Sequence, residues 1–193
     1  MNILYLDLET TGLNPGNRGR IVEVGAIACR LDERMIQELG TFEAVIGTDM
    51  EDWAYAEQGA VRMHISNGLS QESLDSRLTL EEVDSALAVF CRQHFGDTRP
   101  VLAGSSVHFD RRYAENRLTA VARLCSHRHL DSTTLIQLFD AVGLDIKTPM
   151  ACESPETTHR ALPDCYRSLA AARMALMYLR NYVDGMTNKK EAK

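Results

Sequence analysis

The 193-residue chain has no uninterrupted apolar stretch near the roughly 18 residues that a bilayer-spanning helix needs, which argues against a transmembrane protein. It has no Cys-x-x-Cys pair either. Its five cysteines (Cys29, Cys91, Cys125, Cys152 and Cys165) are scattered and odd in number. That pattern disfavours a disulfide framework or a zinc ribbon and favours a reducing, cytoplasmic setting. The start, Met1 to Asp7, has no basic segment and meets an acid at once, unlike a signal peptide. Positive charge is not in excess: 21 basic against 27 acidic residues leave a net charge of −6. Wrapping long duplex DNA through counterion release normally needs a basic face, so that role loses ground. A site that brings its own divalent cations can still handle a short anionic substrate. Internal repeats and low-complexity segments are missing too. What remains is the balance of one globular domain, 45% hydrophobic and 25% charged. A chain of this length buries roughly 70% of its unfolded surface, enough to fold without disulfides or a structural metal.

The apolar run Asn2 to Leu8 reads as a buried strand. Thr10 to Gly19 is loop chemistry, with Gly12 and Asn14-Pro15-Gly16 as breakers. Ile21 to Cys29 is rich in β-branched residues, and the turn Leu31-Asp32-Glu33 leads into a third strand, Met35 to Val45. Helices follow. Thr79-Leu80-Glu81-Glu82 is a capping box ahead of Val83, Ala86, Leu87 and Phe90 at helical spacing. Pro100 to Gly104 and the surroundings of Leu130 read as short strands, and Ser132 as the N-cap of the next helix. Gly143 to Thr158 is a long polar loop, and a last helix runs from about Leu162 to Tyr182. The expectation is one domain over residues 1–183 with a frayed tail over 184–193. Its fold class is α/β, a mixed central sheet of antiparallel meander plus parallel strands, with helices on both faces.

Three acidic features stand out. Asp7 and Glu9 end a buried strand, and alternation puts both side chains on one face. Two like charges there repel, and burial makes each costlier, so a cation should compensate. Oxygen-only ligands favour a hard ion, Mg²⁺ or Mn²⁺, over zinc. Read alone, an Asp-x-Glu is equally often the start of a solvated loop. Asp110 follows a strand and a Gly-Ser-Ser loop at the entry of a helix, where an acid otherwise serves as a dipole partner. In His159-Arg160-Ala161-Leu162-Pro163-Asp164, Pro163 suits a first helical turn. His159 therefore lies in the loop before the helix and Asp164 in its opening turn.

Asp-x-Glu, a distant Asp and His-x-x-x-x-Asp, in that order and spacing, resemble the DEDDh group of 3′→5′ exonucleases, whose fold is ribonuclease-H-like. The resemblance runs from residue 3 to about residue 182. Finer matches point to the oligoribonuclease family within that group. His64-Ile65-Ser66-Asn67-Gly68-Leu69 resembles its H-x-x-S-G-L segment. Gly104 to Arg112 resembles G-N-S-x-x-x-D-R-R, Arg128 to Thr134 resembles R-x-L-D-V-S-T, and Thr158 to Leu162 follows T-H-Q-A-L. There are departures. Trp53 lies further upstream of His64 than the family's tryptophan, so residues 54–60 look inserted or rearranged. Ser105 replaces an asparagine, and Pro163 replaces an acid. His127 stands where the family carries an aromatic residue that reaches the partner subunit's substrate.

The resemblance implies two-metal hydrolysis of phosphodiesters. Asp7, Glu9, Asp110 and Asp164 would hold two Mg²⁺ or Mn²⁺ ions, with His159 as general base. Products would be nucleoside 5′-monophosphates released from di- to pentanucleotides of single-stranded RNA, and possibly of short DNA. Leu13 and His64 would bracket the terminal bases, while Ser106, Arg128 and Thr133 would cap the 5′ phosphate. The resemblance also implies a homodimer, with His127 and Arg128 near the interface and the last helix supplying packing surface. The competing reading is a proofreading-type 3′→5′ exonuclease acting on single-stranded DNA or longer RNA. From another class comes a non-catalytic nucleic-acid-binding module, disfavoured because all five catalytic positions are intact.

Overall fold

A computed structural model describes residues 1–16, 18–146 and 158–191, the last five of these as backbone only. Strand β1 (Asn2–Thr10) is the middle of five, in the order β3-β2-β1-β4-β5. β2 (Ile21–Leu31) and β3 (Ile36–Val45) extend it as an antiparallel meander. The short β4 (Val101–Gly104) and β5 (His129–Asp131) run parallel to it on the other side. The described helices are α1 (Met50–Ala54), α2 (Gln58–Ser66), α3 (Leu69–Asp75), α4 (Leu80–Phe95), α5 (His108–Arg117), α6 (Thr119–Leu124), α7 (Ser132–Ala141) and α8 (Ala161–Glu191).

Alternation explains the layering. Leu4, Leu6 and Leu8 of β1 share one face with Val24, Ala26 and Ala28 of β2, under Val83, Leu87 and Phe90 of α4 and Val121 of α6. Ile3, Tyr5, Ile27 and Cys29 occupy the other face, under Cys165, Leu169 and Ala172 of α8. Each fully buried leucine or isoleucine contributes about 1.5–3 kcal/mol. With both faces covered, β1 reads as a near-continuous apolar run that stops only where the acids begin.

The sheet follows the sequence expectation, and so does the Thr79–Glu82 capping box, in which both reciprocal hydrogen bonds are present. Other expectations need correction. The N-cap of α7 is Asp131, whose carboxylate accepts the amides of Thr133 and Thr134, and not Ser132. Ser132 is buried, its hydroxyl donating to the Ser168 carbonyl 2.8 Å away. α8 continues to Glu191, where a tail was expected beyond residue 183. Gly185 costs that helix about 1 kcal/mol against alanine, but no proline interrupts it and a formed helix propagates cheaply. Helices α1–α3 and α6 went unread in the sequence. The loop expected from Gly143 is docked at Ile146, which is buried against Phe139 and Met174; residues 147–157 lie outside the described residues, as does Cys152.

Candidate active site

At the end of β1, Asp7 and Glu9 continue the Ile3–Tyr5 face and point to the α8 side. Across the antiparallel pair, Gly25 lies opposite Asp7 and Glu23 opposite Glu9. Gly25 is what lets α8 land there. A Cβ on it would sit 2.3 Å from the Leu162 nitrogen and 2.4 Å from the Ala161 carbonyl carbon. The first turn of α8 therefore rests on bare backbone, carrying Asp164 to the strand end and leaving His159 in the preceding bend. The register slips between Glu9 and Thr10, a bulge that turns β1 away just past the acids.

Asp110 arrives from another direction. Pairing of β1 with β4 covers only Ile3 to Tyr5, so the β1 backbone beyond it needs another partner. The Leu8 amide donates to Asp110 Oδ1 at 3.0 Å, which fixes the first turn of α5 against the strand. A helix N-terminus favours an acid at that position. Ligating atoms of Glu9, His159 and Asp164 all lie within 4.8 Å of one another.

This arrangement is electrostatically unhappy by itself. Burial pushes the Glu9 carboxyl up to about 7, helped by Asp164 and Glu23 and opposed by Arg160. Burial also raises Asp7 well above the ordinary carboxylate range, with Asp110, Glu9, Asp164 and Glu23 adding in that order. Asp110 is raised chiefly by burial, against the lowering effect of the amide hydrogen bond from Leu8. Arg160 offsets only part of this mutual repulsion among the acids. A donor set dominated by carboxylate oxygen, with one imidazole at its rim, fits hard divalent cations.

Beside Glu9 lies a cleft of about 330 Å³, lined among others by Leu13, Ala60, Met63 and Phe109. Leu13 is 67% exposed and forms its lip. His64, expected at the terminal bases, is instead fully buried: Nε2 lies 3.0 Å from the Thr10 carbonyl and 3.8 Å from Glu9 Oε2. Trp53 stacks edge-on against that ring at 5.8 Å, so His64 backs the Glu9 strand end and offers no surface to a base. The apolar wall comes from Met63 and Phe109, which sequence reasoning missed. Their signal was their position beside motif residues, one before His64 and one before Asp110. Glu57 was missed as well. Its Oε1 accepts the Leu13 amide at 2.8 Å, and its side chain lies over Gly12. Arg112 donates to the Leu13 carbonyl and Tyr113 to the Gly12 carbonyl, so the lip is held from both sides.

Beyond the ends of β4 and β5, the structure brings Ser106 and Thr133 together. The Ser106 amide donates to Thr133 Oγ1 at 3.1 Å, with Ser106 at φ +53. Arg128 is exposed at the opposite end of β5, its amide donating to Ser126 Oγ. His127 is exposed beside it.

Convergent acids and a histidine at the strand end of a mixed α/β sheet form a site that could hold divalent cations. The chain belongs to the exonuclease family of RNase T type, whose model matches residues 4–172. It is 30% identical over 169 residues to the oligoribonuclease of Pseudomonas fluorescens (strain Pf0-1), covering 88% of this chain and 91% of that protein. The oligoribonuclease of Francisella tularensis subsp. tularensis (strain WY96-3418) is also 30% identical, over 88% of this chain and 90% of its own. Among solved structures, E. coli exonuclease I in complex with a 5cy-dA13 oligonucleotide superposes with a TM-score of 0.59 at 16% identity. That match covers 95% of this chain but only 43% of the longer enzyme. Cell-death related nuclease 4 superposes with a TM-score of 0.56 at 14% identity, over 89% of this chain and 62% of that one. At these identities the likeness is one of fold.

Proposed function

We propose that this chain is a metal-dependent 3′→5′ exoribonuclease that shortens small single-stranded oligonucleotides one nucleoside 5′-monophosphate at a time. The observation that carries the reading is the convergence of Asp7, Glu9, Asp110, Asp164 and His159 beside an apolar cleft. Asp7, Glu9, Asp110 and Asp164 would hold two Mg²⁺ or Mn²⁺ ions, which when bound acidify the attacking water and neutralise charge on the leaving 3′ oxygen. His159 accepts the water proton at the imidazole nitrogen facing the carboxylates. Water oxygen bonds to phosphorus, the bond from phosphorus to the 3′ oxygen breaks, and the departing 3′ oxygen takes a proton from solvent to leave as a hydroxyl, while His159 returns its proton to solvent. The cleft between Leu13, Met63 and Phe109 takes the terminal base by its faces, without reading its identity. Ser106 and Thr133, joined beyond the ends of β4 and β5 and away from Arg128, cap the far phosphate, which restricts the substrate to a few nucleotides and makes a basic groove unnecessary on a chain of net charge −6.

The discriminating experiment offers a 5′-labelled RNA dinucleotide and a single-stranded DNA 20-mer side by side. Rapid release of 5′-monophosphate from the dinucleotide, abolished by EDTA and by Asp164→Ala, supports the reading. Faster loss of the long DNA would favour the competing exonuclease. We also assign the chain to homodimers. Leu179, Tyr182, Val183 and Met186 of α8 fall at i, i+3, i+4 and i+7, on one helix face, and all are about half exposed or more. Such an apolar stripe suits a second copy. Cys29, Cys91, Cys125 and Cys165 are free and buried, in keeping with the cytoplasm. No described helix is long and apolar enough to cross a membrane.

A further inference from the structure

We infer that Arg160, Glu23, Glu72 and Asn67 form a brace that mounts His159 and the wall of the base cleft on one rigid piece. The inference rests on the reading just given and concerns residues that act through His159 without touching substrate. Arg160 is bracketed by His159 and by Ala161, the first residue of α8. Its guanidinium uses both edges. Nε and Nη2 donate to the Glu23 carboxylate at 2.9 and 2.7 Å, while Nη1 and Nη2 donate to Glu72 at 3.0 and 2.7 Å. Glu23 is fully buried, and its second oxygen also accepts the Ala161 amide at 2.8 Å. Thus β2, the start of α8 and helix α3 meet at one arginine. A planar fork that is paired on two sides has little rotational freedom left.

Asn67, the residue closing α2, ties down the other side of the histidine. Its Nδ2 donates to the His159 carbonyl at 2.6 Å and to the Thr158 carbonyl at 3.3 Å, while its Oδ1 accepts the Leu69 amide at 3.1 Å. These bonds hold His159 at φ +51, a left-handed backbone that a residue with a Cβ rarely adopts. Asn67 and Glu72 belong to the α2–α3 segment, whose Gly59, Ala60 and Met63 line the cleft. The base-holding wall and the proton acceptor are therefore fixed to each other and not only to the sheet.

Glu72 is half exposed, so Glu72→Gln can be made without burying an unpaired charge. On the RNA dinucleotide, the metal-loaded variant should lose at least about fivefold in kcat with KM within twofold of wild type, since misplacing a catalytic group acts on kcat. Asn67→Ala should do the same, and the double variant should lose less than the product of the two. Glu72→Asp, which keeps the charge, should recover part of the loss. In the metal-free protein, the His159 ring should give one sharp ¹H–¹³C NMR correlation that broadens or splits in Glu72→Gln and Asn67→Ala. Unchanged kcat in both variants of an active enzyme overturns the brace, as does a rise in KM alone. A wild-type protein that leaves the dinucleotide intact would refute the exoribonuclease reading instead, and the ring signal then decides the brace: an unaltered peak in both variants sinks it.

Discussion

Gly25→Ala tests whether the close landing of α8 on β2 is what assembles the site. The added methyl would lie 2.3 Å from the Leu162 nitrogen and 2.4 Å from the Ala161 carbonyl carbon, where ordinary contact begins at 3.4 Å. Both are backbone atoms, so no rotamer change relieves the clash. The first turn of α8 must back away by about 1 Å, and it carries Asp164 and the His159 bend with it. A misplacement of that size costs roughly 10²-fold in rate. Overpacking costs about 1–3 kcal/mol of stability. For a domain of this length that lowers Tm by roughly 2–12 °C and leaves it folded. The assay is kcat on the labelled dinucleotide at saturating Mn²⁺, with circular dichroism melting alongside. Gly185→Ala is the control, because a Cβ there meets nothing within 4 Å; its kcat should equal wild type. A folded Gly25→Ala protein with wild-type kcat would refute the argument that this glycine sets the position of α8.

Stability should depend on pH and metal together. Glu9 holds its proton to about 7 in the fold against 4.5 in the open chain, with Asp7 and Asp110 raised in the same sense. In EDTA, stability present below about 4.5 is lost as pH rises through about 7. Mn²⁺ should restore Tm at pH 8, whereas a Tm in EDTA that climbs from pH 5 to pH 8 would contradict this account. Glu57→Ala removes the acceptor 2.8 Å from the Leu13 amide. Dinucleotide KM should rise about three- to tenfold with kcat retained and stability lowered by about 1 kcal/mol. Light scattering should give a dimer mass for wild type and a monomer mass for Val183→Glu; an unchanged mass would dismiss the α8 stripe as the interface.

Local rules made much of this protein legible in its sequence. Strand alternation put Asp7 and Glu9 on one face, and Pro163 together with the H-x-x-x-x-D spacing put Asp164 in an opening helical turn. Both depend only on backbone periodicity, which is written residue by residue. The three helices between Ile46 and Leu78 were harder, because they are short and weakly patterned and draw their order from the tertiary packing of α2 and α3 on the sheet.

Tertiary structure alone decided which side chains face the ligand. His64 carries a motif position yet lies sealed behind Trp53, while Met63 next to it lines the cleft, because a helix turns adjacent residues about 100° apart. It alone paired Glu23 with Arg160, 137 residues away in the chain. The charge that strand position forces on Glu23 can be tolerated in the core only if a distant guanidinium reaches it, and no local pattern encodes that partner.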